Sequence, residues 1–289
     1  MELFLDQVVN GLTAGSEYAL IAAGLALIFG VVEIVNFAQG ELYMIGAYFL
    51  YIAQSFLDLP YGLALVVELV MMALLGVLFY VVVIRRILNR GWQVQLVATL
   101  AVSILLVNVA IVTAGALPKT VNSSLTYQIV EIGSLRLSVQ RILVLATAVA
   151  AFAALASFLK YTKTGRAMRA VAQNREAAAV VGVPIQRIGL VAVVVASLFC
   201  GLASGTIAPL HNVEPTMGMI VIIKAFAAVI MGGFGNVTGA VVSAFFLGLT
   251  EAFAIGYISS AYADAIVFGV MIVVLLVKPN GIFGKAVRA

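Results

Sequence analysis

The sequence has too few charged residues for a soluble protein, and it has almost none of the residues that build redox or metal sites. Only 10% of its 289 residues are charged, and it contains one cysteine and one histidine. A soluble domain carries charge on about a quarter of its residues, so the composition excludes a soluble protein. Because Cys200 is the single cysteine, an intrachain disulfide is excluded as well.

Motifs for catalysis and for nucleotide binding are also missing. The sequence holds no Ser-His-Asp set, no H-E-x-x-H motif and no pair of carboxylates at a useful spacing, so we predict that the chain is not an enzyme. His211 has no Cys, His or Asp cluster around it, which argues against a metal site. The glycine-rich segment 232–239 (GGFGNVTG) fits neither the G-x-G-x-x-G nor the P-loop pattern. We interpret it as a tight turn between closely packed helices.

Long apolar runs dominate what remains. Hydrophobic residues make up 64% of the chain, and its mean hydropathy is +1.19. These values predict an all-α integral membrane protein, a polytopic helical bundle in which residues 1–289 form a single membrane domain. We predict nine spans, at 8–30, 36–56, 61–84, 94–115, 141–159, 189–208, 218–231, 239–257 and 264–277. The 218–231 run is short for a crossing, so a re-entrant segment and a total of eight spans is the alternative.

The basic residues predict the orientation of these spans. Three clusters hold twelve of the sixteen lysines and arginines: residues 85–90, residues 160–187, and a C-terminal group formed by Lys278, Lys285 and Arg288. Loops rich in Lys and Arg stay in the cytoplasm, so we predict a cytoplasmic C-terminus and an N-terminus outside. The net charge of +4 does not indicate nucleic-acid binding, because the cations lie in loops beside apolar runs.

The longest basic interruption, at about 160–188, is the most informative soluble feature. Its residues 164–181 predict a short amphipathic helix, with Ala167, Val171 and Ala178 on the apolar side. A membrane protein whose main soluble feature is one cytoplasmic helix is expected to present that helix to a partner. The candidate contact residues are Arg166, Arg169, Gln173, Asn174, Arg175, Glu176 and Gly182.

Polar residues also interrupt the apolar runs themselves. The break at 29–41 (FGVVEIVNFAQGE) carries Asn36, Gln39 and Glu41. It fits either a cytoplasmic turn or a broken helix that lines a translocation path, with broken or re-entrant helices expected in the second case. Glu17, Glu68 and Glu251 lie within spans, and we expect them to face the bundle interior, paired with Ser, Tyr or backbone groups. An ion relay is the alternative. We interpret Lys224, the one cation within a span, as a snorkelling side chain.

Three stretches resemble one transporter family. They are NGLTAGSEYALIAAGLALIFGVVEIVNFAQGELYMIGAYFLY at 10–51, TGRAMRAVAQNREAAAVVGV at 164–183, and GGFGNVTGAVVSAFFLGLTEAF at 232–253. The first closely resembles the opening of the permease subunits of bacterial branched-chain amino-acid ABC importers, the LivH type. In the second, Glu176-Ala177-Ala178 followed by Gly182 matches the start of the E-A-A-x-x-x-G pattern of ABC importer permeases.

This resemblance implies a permease subunit of the bacterial inner membrane that binds no cofactor, with ATP used by partner subunits. The implied partners are a second, homologous permease, two cytoplasmic ATPases that bind the coupling segment, and a periplasmic substrate-binding protein. The implied substrates are branched-chain or related amino acids. Permeases for urea, amides or nucleosides resemble the same family, and an ion-coupled secondary transporter is the alternative from a different class.

Overall fold

A computed structural model describes residues 2–132 and 135–284, and within them the chain is almost entirely helical. Nine helices have 16 residues or more: α1 (Glu2–Val32), α2 (Gln39–Ser55), α3 (Tyr61–Phe79), α5 (Trp92–Ala114), α7 (Val139–Tyr161), α10 (Ile185–Ile207), α11 (Met217–Gly232), α12 (Val237–Tyr257) and α13 (Ser260–Val277). The shorter elements are α4 (Arg85–Ile87), α6 (Ser124–Tyr127), α8 (Lys163–Gln173), α9 (Arg175–Val180), β1 (Ile129–Ile132) and β2 (Leu135–Ser138). A π-helical turn (Tyr80–Ile84) joins α3 to α4.

The nine long helices coincide with the nine predicted spans. Seven of the described segments are long and apolar enough to cross a membrane, and the two shorter helices are α2 and α11. The chain is therefore a multi-pass helical membrane protein, as predicted. Side chains on α5 and α13 support this, because large apolar groups such as Val112 (84% exposed) and Leu276 (80% exposed) cover their outer surfaces, where lipid can surround them.

Helix α1 forms the centre of the bundle, packed mainly against α10 and α12. Glycines bring it close to α12: a Cβ atom on Gly11 would lie 2.7 Å from the Cα of Leu249, and one on Gly15 would lie 2.9 Å from the Cα of Phe245. Small residues let membrane helices approach this closely and gain van der Waals contact, since lipid provides no hydrophobic driving force. Gly11 and Gly15 therefore allow α1 to pack closely on α12.

The ends of several helices meet at one face of the molecule, which we call the hairpin face because β1 and β2 lie there. The two strands pair antiparallel, with Val130 opposite Leu137. Hydrogen bonds join α1 to α7 through Asn10 and Arg141, and a backbone bridge joins Lys119 to Val213. Strand β1 begins at Ile129, shortly after the end of α6 at Tyr127.

The opposite face carries the basic clusters, and we call it the basic face. The turn between α11 and α12 lies here, against the end of α1, where the Cα of Gly235 is 3.5 Å from a Cβ built on Gly30. The chain after α13 returns to the same place, since the Ile282 amide donates to Met231 O at 2.8 Å. Lys278 belongs to this face, whereas Lys285 and Arg288 lie outside the described residues.

Helices α2 and α11 both start inside the bundle. Gln39, the first residue of α2, reaches the middle of α10, where its Nε2 donates to Ala196 O at 3.2 Å. The first turn of α11 touches α2 through Gly218, which packs on the Gly40 backbone. Since α11 ends at the basic face and is preceded by Val213 at the hairpin face, segment 213–232 crosses the bundle. Both helices thus begin within the bundle, while the choice between nine and eight membrane spans stays a prediction.

Candidate functional site

The basic interruption forms two helices rather than the single helix predicted for 164–181. Helix α8 ends at Gln173, and α9 starts at Arg175 after an extended residue, Asn174. The Asn174 Oδ1 accepts a hydrogen bond from the Ala177 amide at 2.9 Å and so caps α9. Asparagine is among the strongest N-cap residues, which explains why the chain breaks at this position.

The candidate contact residues cover the solvent side of these two helices. Gly165, Met168, Val171 and Ala178 are buried towards the bundle, whereas Ala167 is only partly buried. The predicted contact residues Arg166, Arg169, Gln173, Asn174, Glu176 and Gly182 are exposed, and Arg175 is partly buried. The amphipathic pattern is thus confirmed, while the role of the exposed residues in binding a partner stays a prediction.

Gly182 ends α9 in a left-handed conformation with φ +86°. Its amide donates to Ala179 O and the Val183 amide donates to Ala178 O, both at 3.0 Å. This pair of bonds is the Schellman motif, in which glycine is strongly favoured because a Cβ is strained at positive φ. Beside it, Val180 and Val181 are 87% and 78% exposed. An exposed apolar pair at the end of α9, which follows the cationic helix α8, is typical of a contact surface.

A groove of about 800 Å³ runs beside α9 on the basic face. It lies between α4 and the helices α8 and α9 and carries charges of both signs. Its lining includes Glu33, Arg85, Asn89, Asn174, Arg175, Glu176 and Gln186. The first two basic clusters, which are separate in the sequence, therefore form one surface.

The polar break between α1 and α2 is buried inside the chain. Asn36, Gln39 and Glu41 are 1%, 0% and 2% exposed. The Asn36 Nδ2 donates to Gln39 Oε1 at 3.0 Å, and its Oδ1 accepts from the Ala38 amide at 3.1 Å, which organises the start of α2. Gln39 also contacts Cys200 Sγ at 3.0 Å. The three residues pack between helices, and their place on a translocation path stays a prediction.

A cavity of about 690 Å³ at the hairpin face is a further feature that sequence reasoning missed. Helices α1, α2, α7, α10, α11 and α12 and the segment 210–214 contribute to it. Its polar lining consists of Gln7, Asn10, Thr13, Glu17, Tyr18, Tyr43, Arg141, His211, Asn212, Glu214 and Glu251, and its apolar lining includes Ile207, Leu210, Ile220, Val221 and Ile255. None of Asn36, Gln39 and Glu41 lines it.

Hydrogen bonds organise the carboxylates of this cavity. The Tyr43 hydroxyl donates to Glu17 Oε1 at 2.5 Å, and the Tyr18 hydroxyl donates to Glu251 Oε2 at 2.8 Å. Outside the cavity, Ser204 donates to Glu68 at 2.8 Å. The expectation that carboxylates within spans pair with Ser or Tyr in the interior is confirmed.

The interpretation of Lys224 as a snorkelling residue is wrong. Its ammonium forms an ion pair with Glu251 at 2.7 Å and with Asp264 at 3.0 Å. The Lys224 and Glu251 side chains are only 8% and 13% exposed. The ammonium also lies 5.6 Å from the centre of the Tyr18 ring. Lys224 stays inside because carboxylates from two neighbouring helices neutralise it, a partner set that no local pattern reveals.

Comparison with known proteins identifies the family. Residues 7–275 match the family described as the permease component of branched-chain amino acid transport systems. The chain belongs to this family. It is 32% identical to the high-affinity branched-chain amino acid transport system permease protein LivH of Escherichia coli (strain K12), over 98% of this chain and 96% of the relative. It is 30% identical to BraD of Pseudomonas aeruginosa over the same shares. The Methanocaldococcus jannaschii protein described as a probable LivH is 29% identical over 92% of this chain and 88% of the relative.

Among solved structures, PsaBC from Streptococcus pneumoniae in complex with Fab aligns with 96% of this permease-family chain and 92% of its own chain, at a TM-score of 0.48 and 14% identity. Family membership thus rests on the sequence matches, and the resemblance of residues 10–51, 164–183 and 232–253 to LivH-type permeases is confirmed.

Proposed function

We propose that the chain is the permease subunit of a binding-protein-dependent ABC importer that moves branched-chain or closely related amino acids across the inner membrane. The observation that carries this proposal is the match to branched-chain amino acid permeases over nearly the whole chain, at about a third identity. Such a subunit hydrolyses nothing itself. ATP is used by two separate cytoplasmic subunits, and a second, homologous permease completes the pathway.

In this proposal the basic face is cytoplasmic and α8–α9 is the coupling segment. The surface offers cations, helix α9 and the exposed Val180–Val181 pair to an ATPase. The Gly165 backbone packs on the end of α7, and Met168 and Arg169 approach Ala26 and Leu27 of α1. Because α8 and α9 lie directly between α7 and α10 in the chain, movement of an attached ATPase would reach the central helices through these contacts.

The hairpin face would then be periplasmic, with the N-terminus of α1 outside. A binding protein delivering substrate to this face would meet the mouth of the 690 Å³ cavity. The buried residues Asn36, Gln39 and Glu41 would lie below it, on the part of the path towards the basic face.

Uptake of radiolabelled L-leucine into proteoliposomes tests the proposal, with the partner permease, ATPases and binding protein present. Uptake should require ATP and both ATPases, and it should be independent of ion gradients, which distinguishes the importer from an ion-coupled transporter. Glu176→Lys and Gly182→Trp should abolish uptake. The first inverts a charge on the proposed coupling surface, and the second puts a bulky side chain on a residue whose backbone has φ +86°.

Matched controls are Glu131→Lys on the hairpin face and Gly91→Trp in an exposed turn at negative φ. Both should transport normally. Normal uptake by Glu176→Lys and Gly182→Trp together would contradict the coupling assignment. Leucine uptake without ATPase subunits would contradict the importer assignment itself.

A further inference from the structure

The cavity at the hairpin face is lined by one arginine, Arg141, and by two carboxylates, Glu17 and Glu214, that form no ion pair with a described residue. Arg141 Nη1 instead donates to Asn10 Oδ1 at 2.7 Å, and Glu17 accepts only the Tyr43 hydroxyl. Charges facing a cavity inside a membrane domain are costly unless a partner or ligand compensates them.

Arg141 and Glu17 lie at different depths along the same side of α1. Asn10 and Glu17 are seven residues apart on α1, so they share one side of the helix and differ by about 10 Å along its axis. Arg141 is held at the level of Asn10. A ligand with its carboxylate at the guanidinium and its ammonium at Glu17 would lie along this side of α1.

The rest of the cavity suits an aliphatic side chain. Ile207, Leu210, Ile220, Val221 and Ile255 line it next to the polar groups. Glu251 is already neutralised by Lys224 and bonded to Tyr18, so this carboxylate does not compete for the ligand ammonium. Glu214 is partly exposed at the mouth of the cavity, whereas Glu17 is buried, with 7% exposure.

We propose that this cavity, within one permease chain, is a binding site for a zwitterionic aliphatic L-amino acid, with Arg141 binding the α-carboxylate and Glu17 the α-ammonium. The inference rests on the proposed function for the direction of transport and the class of substrate. It adds a site whose recognition groups come from α1 and α7 of this subunit alone.

Protection of a reporter cysteine tests the site directly. Ala14 lines the cavity between Asn10 and Glu17, so Ala14→Cys in a Cys200→Ser background places a thiol where the ligand would lie. The intact importer in nanodiscs is labelled with an impermeant maleimide in the presence of L-leucine, leucinamide (no carboxylate) or 4-methylpentanoate (no ammonium). L-leucine should protect best, because only it makes both charged contacts.

The variants should change selectivity, an effect that a purely structural role would not produce. Arg141→Gln should raise the L-leucine concentration that gives half-protection about tenfold or more. The leucinamide concentration that gives half-protection should stay nearly the same, because leucinamide has no carboxylate to lose. Glu17→Gln should do the same for L-leucine and leave 4-methylpentanoate nearly unchanged. The controls Arg136→Gln on the exposed hairpin and Glu68→Gln outside the cavity should behave like the parent protein.

The outcomes separate the two proposals. Suppose that the parent importer transports L-leucine, and that the ligands protect the reporter cysteine in Arg141→Gln and Glu17→Gln as they do in the controls. The cavity site is then wrong and the proposed function stands. The site is also wrong if both variants lose protection by all three compounds equally, because the residues then act on structure and not on ligand charge. If the parent importer neither transports nor binds L-leucine, the proposed substrate class fails, and the site fails with it.

Discussion

At the scale of single residues, a buried ion pair ties together the helices around the cavity. Lys224 on α11 contacts Glu251 on α12 and Asp264 on α13, and the first two side chains are almost fully enclosed. A pair in this setting does not by itself imply a large net gain, since removing two charges from water is expensive. Removing only one partner is different, because the other is then left buried and uncompensated.

Lys224→Met should therefore lower stability strongly, by about 3–5 kcal/mol, as for other broken buried pairs. The thermal midpoint of the detergent-solubilised protein, followed by size-exclusion chromatography after heating, measures the effect. The double change Lys224→Met with Glu251→Gln should recover much of the loss, because no charge is then stranded. As a control, Arg136→Met breaks the exposed Arg136–Glu131 pair and should cost less than about 1 kcal/mol. An equal loss in Lys224→Met and Arg136→Met would contradict this account.

At the scale of helices, the meeting of α2 and α11 inside the bundle depends on two glycines. A Cβ on Gly40 would lie 2.8 Å from the Ile222 Cβ and still closer to the Gly218 carbonyl. Gly40→Val should therefore overpack the contact and cost about 1–3 kcal/mol, which the same heating assay would show as a lower midpoint. Gly269→Val on α13 is the matched control, since its added Cβ meets nothing within 4 Å. A lowered midpoint in the control alone would contradict the packing argument.

The elements differ in how far the sequence predicts them. Apolar runs predict all nine long helices because hydrocarbon burial is a local property of about twenty residues. Gly182 is likewise predictable as the end of α9. The break at Asn174 was missed although an N-cap residue stands there, because the amphipathic pattern continues across it. The cavity could not be predicted, since Glu17, Arg141 and Glu251 come together only through packing of α1, α7 and α12.

At the scale of the whole molecule, charge separates the two faces. The described basic residues of 85–90, 160–187 and Lys278 gather at one face, and the hairpin and residues 208–216 lie at the other. Reversing this orientation would place the basic clusters on the outside, against the positive-inside bias, and a charged residue costs roughly 2.5–3.5 kcal/mol at the bilayer centre. The relative positions agree with the predicted topology, while the absolute orientation of the termini stays a prediction.

Thiol labelling in intact cells would determine that orientation. Single cysteines at Ser124 and His211, both exposed at the hairpin face, should react with an impermeant maleimide from outside. Cysteines at Gln173 and Thr238, both exposed at the basic face, should react only after the cells are opened. Thr238 is the sharper probe, because it follows α11: labelling from outside would mean that α11 turns back within the membrane. Labelling of a cysteine at Gln173 from outside would mean that the whole bundle has the opposite orientation. Helices α8 and α9 could then contact no cytoplasmic ATPase.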